Sequence, residues 1–300
     1  MISLWRKMRA QKLHNEAQRL SDNGHDEKAI EIYKSAIALD PSRSTSYYNI
    51  GLIYKYRNDW SASCKYNKIA YELDATDDAS RWNFAIAATA LGDWETSRRL
   101  WSDVGFTLDE DSSPIDMDFG ITPIRLNPDS DGEVVWARRI DPVRARLENI
   151  PFPESGYRYG DVVLHDGAPV GERVYNDQTY PVFNCLELLE PSADSTYVLI
   201  VRAPNGIAMK TLDSELENSG IHLEDWTSTV RALCRQCSEG LPHETHDSEL
   251  DSGQWIEERK CGLTTNIQDI SELVATASET AHVDILQLEC HLTRTASTNN

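Results

Sequence analysis

The sequence predicts an α-helical array followed by an α+β domain. Three observations carry that prediction: a repetition at an offset of 34 through the first third of the chain, a change from helical to alternating apolar spacing near residue 118, and an uneven charge. Of the formal net charge of −20, residues 1–110 carry −1 and residues 111–300 carry −19. The two halves are therefore read separately, as 1–110, a linker over 111–119, and 120–300.

At an offset of 34, Gly24, Asn58 and Gly92 fall in register, followed by His25, Asp59 and Asp93, then Ala29, Ser63 and Ser97. Each segment reads as two helices broken by a turn at Asn23-Gly24, Asn58-Asp59 or Gly92-Asp93. Small residues (Ala17, Gly51, Ala85) stand where the paired helices must cross closely. Larger ones (Leu20, Tyr33, Tyr47, Tyr54, Trp101) fill the space between them.

The period and the small residues at the eighth and twentieth repeat positions resemble the tetratricopeptide repeat, over roughly residues 10–108. Pro41 matches the closing proline of the first repeat, whereas the second has Ala75 there. The resemblance implies a short superhelix with a concave face lined by the first helix of each pair. His14, Gln18, Thr45, Tyr48, Leu52, Trp82 and Ile86 occupy the lining positions. Members that clamp a C-terminal carboxylate do so with Lys, Asn and Arg; the matching places here hold His14, Gln18, Ala79 and Asn83, and Asn49 alone matches. The groove thus suits an apolar segment, supplied either by a partner or by the chain's own second half.

The stretch LDEDSSPIDM, from Leu108 to Met117, is acidic and has no period. Beyond it, GITPIRL, EVVWARRI, DVVLHDG, YPVFNCLELLE and TYVLIVRAP are short β-rich runs, expected to form a largely antiparallel sheet over about 120–204. Helices are expected over 208–218, 223–239 and 267–280, and strands over WIEERKCGL and 283–292. The helix at 223–239 would carry a stripe of Trp226, Val230, Leu233 and Cys237.

Chemistry is sparse. The acidic charge argues against a nucleic-acid partner. No apolar run reaches the roughly 20 residues that span a bilayer, and the basic start is not followed by an apolar core, so neither membrane nor secretion is expected. A cytoplasmic protein with reduced thiols is expected from six cysteines in 300 residues. Cys234 and Cys237, with His243, His246 and Cys261 following, have usable zinc separations; lacking a second close pair, they are read as helix thiols and loop histidines, with no metal or cofactor. His165-Asp166-Gly167 is read as a hairpin turn rather than a proton-transfer pair. No nucleophile elbow, phosphate loop or metalloprotease motif is found, so no enzyme is expected. The cluster Glu215, Glu217, Glu224 and Asp225 is a candidate docking surface, beside His14, Tyr48, Leu52, Trp82 and Ile86 in the groove.

The segment RYGDVVLHDGAPVGERVYNDQTYPVFN, following a repeat array, looks like bacterial proteins encoded beside polymorphic toxins. That resemblance implies an immunity protein that neutralises a toxin by complex formation, its partner a basic toxin domain. The alternative is a tetratricopeptide adaptor or chaperone that scaffolds a protein complex.

Overall fold

The 34-residue period is realised as three helical hairpins. The computed structural model describes residues 3–109, 113–130, 132–227 and 255–293. The hairpins pair α1 (Leu4–Asp22) with α2 (Asp26–Leu39), α3 (Ser44–Lys55) with α4 (Trp60–Leu73), and α5 (Asp78–Ala90) with α6 (Trp94–Asp103). The aligned turn residues share one backbone state: Gly24, Asn58 and Gly92 have φ of 76°, 56° and 69°. Left-handed backbone ends a helix and lets the next amide reach back, as Asp59 N–H does to Tyr54 O and Asp93 N–H to Ala88 O. Asp59 and Asp93 then cap the following helices by accepting from Ala62 and Thr96 N–H.

The small positions mark close crossings. A Cβ on Gly51 would lie 2.5 Å from Asn67 Nδ2, and Ser63 Oγ donates to Gly51 O at 3.0 Å. Ala17, Ala85, Ser63 and Ser97 are all fully buried. Tyr33 and Trp101 are buried between their helices, and Tyr54 stacks on Tyr66 at 5.8 Å.

The chain divides into two compact units, Met1–Asp116 and Met117–Asn300. In the second, the expected single sheet is two. Strands β1 (Ile121–Leu126), β2 (Glu133–Arg139), β3 (Arg144–Leu147), β4 (Val162–Tyr175) and β5 (Gln178–Glu190) form a closed barrel in sequence order. Neighbours are antiparallel except that β5 closes on β1 in parallel. Closure removes both sheet edges. Ile124, Leu126, Val135, Ala137, Leu147, Val163 and Phe183 fill the interior.

The run TYVLIVRAP belongs to the other sheet. There β6 (Ser195–Arg202), β7 (His222–Asp225), β8 (Glu258–Thr265) and β9 (Asp284–Leu292) lie in the antiparallel order β7-β8-β6-β9. Helices α7 (Gly206–Asn218) and α8 (Ser271–Ala281) pack on one face over Leu199, Val201 and Leu263. On the other face Val198 and Trp226 meet Ile150, which precedes β4. Trp226 Nε1 donates to Ile150 O at 3.1 Å, and a Cβ on Gly262 would run into the Trp226 ring.

Two further expectations fail here. Residues 222–225 are strand rather than helix, because pairing with β8 satisfies their backbone; Val230, Leu233 and Cys237 lie outside the described residues. The HDG segment is not a turn but the interior of β4, where the pairing shifts register between His165 and Pro169. The hairpin turns instead at Asn176 and Asp177, both at positive φ, as a two-residue loop of this hand demands.

Candidate functional site

Of the expected concave positions, His14 and Ile86 are buried, Tyr48, Leu52 and Trp82 are half-buried, and Gln18 and Thr45 are exposed. His14 is buried: its Nδ1 lies 2.9 Å from Ser46 Oγ and its ring tilts against Tyr33. Burial, then the nearby Arg43 charge, lowers its pKa and favours the neutral ring. Asn49 donates to Tyr33 Oη at 2.8 Å, so the single clamp-matching residue joins α3 to α2 of the preceding hairpin. Lys55 is buried and donates to Asn83 Oδ1 at 3.0 Å.

The apolar patch expected of Tyr48, Leu52, Trp82 and Ile86 is therefore smaller than the sequence implied. Ile86 is 1% exposed and belongs to the core. Trp82 is half-buried in an edge-to-face group with Trp101 at 5.0 Å and Phe106 at 6.1 Å. Tyr48 and Leu52 are half-buried, one helical turn apart on α3. Tyr56, at the end of the same helix, is 61% exposed, with Lys55 Nζ 5.0 Å from its ring centre. Sequence reasoning passed over Tyr56; its place one turn beyond Leu52 was the available signal.

In the second unit the four acidic residues do not share a role. Glu217 is exposed and Glu215 half-buried on α7. Glu224 instead accepts from Asn149 Nδ2 at 3.1 Å and Ile150 N–H at 2.7 Å, tying the sheet to the barrel. Asp225 accepts from both Nε and Nη2 of Arg259, at 2.9 and 2.6 Å. A half-buried carboxylate held by internal donors is a poor docking group, because a partner would have to displace those donors.

The titratable groups inside the barrel are sealed. His165 Nδ1 donates to Asp166 O at 2.7 Å, while Nε2 has no hydrogen-bond partner among the described residues. Burial depresses its pKa to about 4, so it stays neutral and exchanges no proton near pH 7. Cys185 is pushed up to about 11 by burial, and Cys261, on β8 of the other sheet, is raised for the same reason. Both are inert thiols. Cys234, Cys237, His243 and His246 lie outside the described residues; among the described residues no three His, Cys, Asp or Glu converge as a metal site. A partly exposed aromatic group that sequence reasoning missed lies outside the barrel. The β4–β5 tip brings Tyr175 and Tyr180 to 5.2 Å from Trp136.

The helical hairpins and their matched turns define a protein with tetratricopeptide repeats in its N-terminal region. The family described as "TPR repeat" matches residues 17–56. Photosystem I assembly protein Ycf3 from Synechococcus sp. strain CC9605 is 35% identical over 74 residues, 25% of this chain and 38% of that protein. The human tetratricopeptide repeat protein 6 is 34% identical over 68 residues, 23% of this chain and 13% of that protein. The chain thus spans well under half the length of these relatives. Among solved structures, the second TPR of Spaghetti (RPAP3) bound to the HSP90 peptide SRMEEVD is 22% identical. It covers 33% of this chain and 85% of its own, with a TM-score of 0.31.

Proposed function

We propose that this chain is a non-catalytic, cytoplasmic protein-interaction scaffold whose repeats hold a segment of a partner along α3. The observation that carries the reading is the array of three hairpins with Tyr48, Leu52 and Tyr56 on successive turns of one helix, accessible in part and apolar. Large aromatic side chains beside an aliphatic one are the usual anchors of protein contacts. The matched relatives, an assembly protein and a repeat protein, favour an adaptor over a toxin-neutralising role.

The toxin-neutralising reading keeps one observation in its favour, the charge of −19 over residues 111–300. A basic partner would be steered to that half, and its association would slow as salt rises while dissociation changed little. A scaffold that binds through α3 shows no such steep dependence.

The experiment is affinity purification from the native cell, then titration of the identified partner against wild type and Tyr48→Ala/Leu52→Ala. Loss of about 2 kcal/mol of affinity at unchanged melting temperature is expected, the scale of a hot-spot truncation. Unchanged affinity removes α3 from the account. Association that collapses with salt while the α3 variant binds normally would favour the acidic second unit as the binding surface.

A further inference from the structure

The outward face of α1 is apolar and basic, and the described residues leave it exposed. Leu4, Trp5 and Met8 are 75%, 68% and 58% exposed. At about 100° per residue, these three point to the side of the helix opposite the buried Ala10 and Ala17. They are therefore not the edge of the hairpin core. Lys12 and Arg19 continue the same outward side, and Lys7 and Arg9 flank it. Arg6 turns inward, its guanidinium 3.4 Å from Ala38 O. Lys7, Arg9 and Lys12 make no ion pair among the described residues. Residues 3–19 carry five Lys or Arg against the single Glu16, in a chain whose net charge is −20.

We propose that this face docks the chain on an anionic phospholipid surface. The charge selects that occupant: cations concentrated on one helix of an otherwise acidic protein are attracted to anionic headgroups, while the rest of the chain is repelled. The side chains suit the depth. Trp5 is amphipathic and belongs at the headgroup level, Leu4 and Met8 reach the acyl boundary beside it, and the Lys and Arg stems extend back to the phosphates. The helix lies on such a surface; no helix among the described residues is long and apolar enough to cross it. Three apolar side chains give a weak, reversible attachment.

The test is co-sedimentation of the full chain with vesicles of phosphatidylcholine alone and with vesicles of one part phosphatidylserine to two parts phosphatidylcholine. Binding to the anionic vesicles only, weakening with added salt, is expected. Trp5→Ala/Met8→Ala should bind about tenfold more weakly. Lys7→Glu/Arg9→Glu/Lys12→Glu should lose about fivefold or more for each charge changed. All five side chains are exposed, so the variants should melt like wild type, which separates lost binding from lost folding. Equal sedimentation with both vesicles, none with either, or binding insensitive to these variants would overturn the proposal. A dimer that Trp5→Ala dissolves, with no vesicle binding, would assign the face to a second copy and overturn it likewise. Tyr48→Ala/Leu52→Ala should bind vesicles normally, so this outcome is independent of the groove reading.

Discussion

The two units differ in how far apart along the chain their contacting residues stand. In the repeats, the residues that lock a hairpin are near neighbours: Ser63 Oγ meets Gly51 O, Trp101 Nε1 meets Thr89 Oγ1, and each turn closes within five residues. In the second unit, Thr122 Oγ1 reaches Pro181 O, and Glu224 holds Asn149 and the Ile150 N–H. The barrel closes only when β5 returns to β1. A repeat array gains stability neighbour by neighbour, whereas a closed barrel forms all its seams or none. Damage should thus stay local in the first unit and spread in the second.

The largest test of that contrast is Asp141→Ala. Asp141 is fully buried, accepts from Val143 and Arg144 N–H, and pairs with Arg144 Nε at 2.5 Å. Removing it leaves a guanidinium that is 3% exposed without its nearest carboxylate, Glu190 lying further off at 3.6 Å. A loss of about 3–5 kcal/mol is expected. Hydrogen exchange should accelerate across β1 to β5 together; acceleration confined to residues 141–147 would contradict a cooperative barrel.

Trp82→Ala is the counterpart in the repeats. It removes one ring from the group with Trp101 and Phe106 and should cost about 2–4 kcal/mol. Faster exchange should be limited to α5, α6 and the adjoining α4, with α1 and α2 protected as before. Uniform acceleration through all six helices would erase the distinction between the units.

Acid should act on the barrel through His165. Its folded pKa of about 4 lies below the ordinary 6.5, so between these values the unfolded chain binds the extra proton. Stability is complete above about pH 6.5 and falls as pH drops toward 4, by up to about 3 kcal/mol. Denaturant unfolding at pH 7 and pH 5 measures it. His165→Gln should flatten that dependence; an unaltered slope would place the acid sensitivity elsewhere.

The smallest effect compares two equivalent turns within the repeats. Gly24→Ala puts a Cβ on left-handed backbone and should cost about 1 kcal/mol. Asn58→Gly relieves the same state and should be neutral or stabilising by about 0.5 kcal/mol. Melting curves resolve the two, and equal shifts would show that the aligned turns are not equivalent.

The amino-acid sequence by itself determined the repeats, the turn positions, the small residues at the crossings and the presence of β structure from about 120 onward. All of these are local: a helix period, a left-handed turn and a missing side chain are written within a few residues of where they act. It also supplied the groove positions, but not their burial. Whether Ile86 and Trp82 face a partner or the interior depends on α6 and Phe106, which lie outside the helix that carries them. Only the tertiary structure decided that TYVLIVRAP leaves the barrel for a second sheet, that His165-Asp166-Gly167 runs through a strand, and that Glu224 and Asp225 hold the unit together. An alternating run states that a strand forms and which face is buried; it does not name the partner strand, because pairing energy is similar for any neighbour of matching pattern. Closure of the barrel and the placement of Trp226 against Ile150 select among those partners, and both join residues that are distant in the chain.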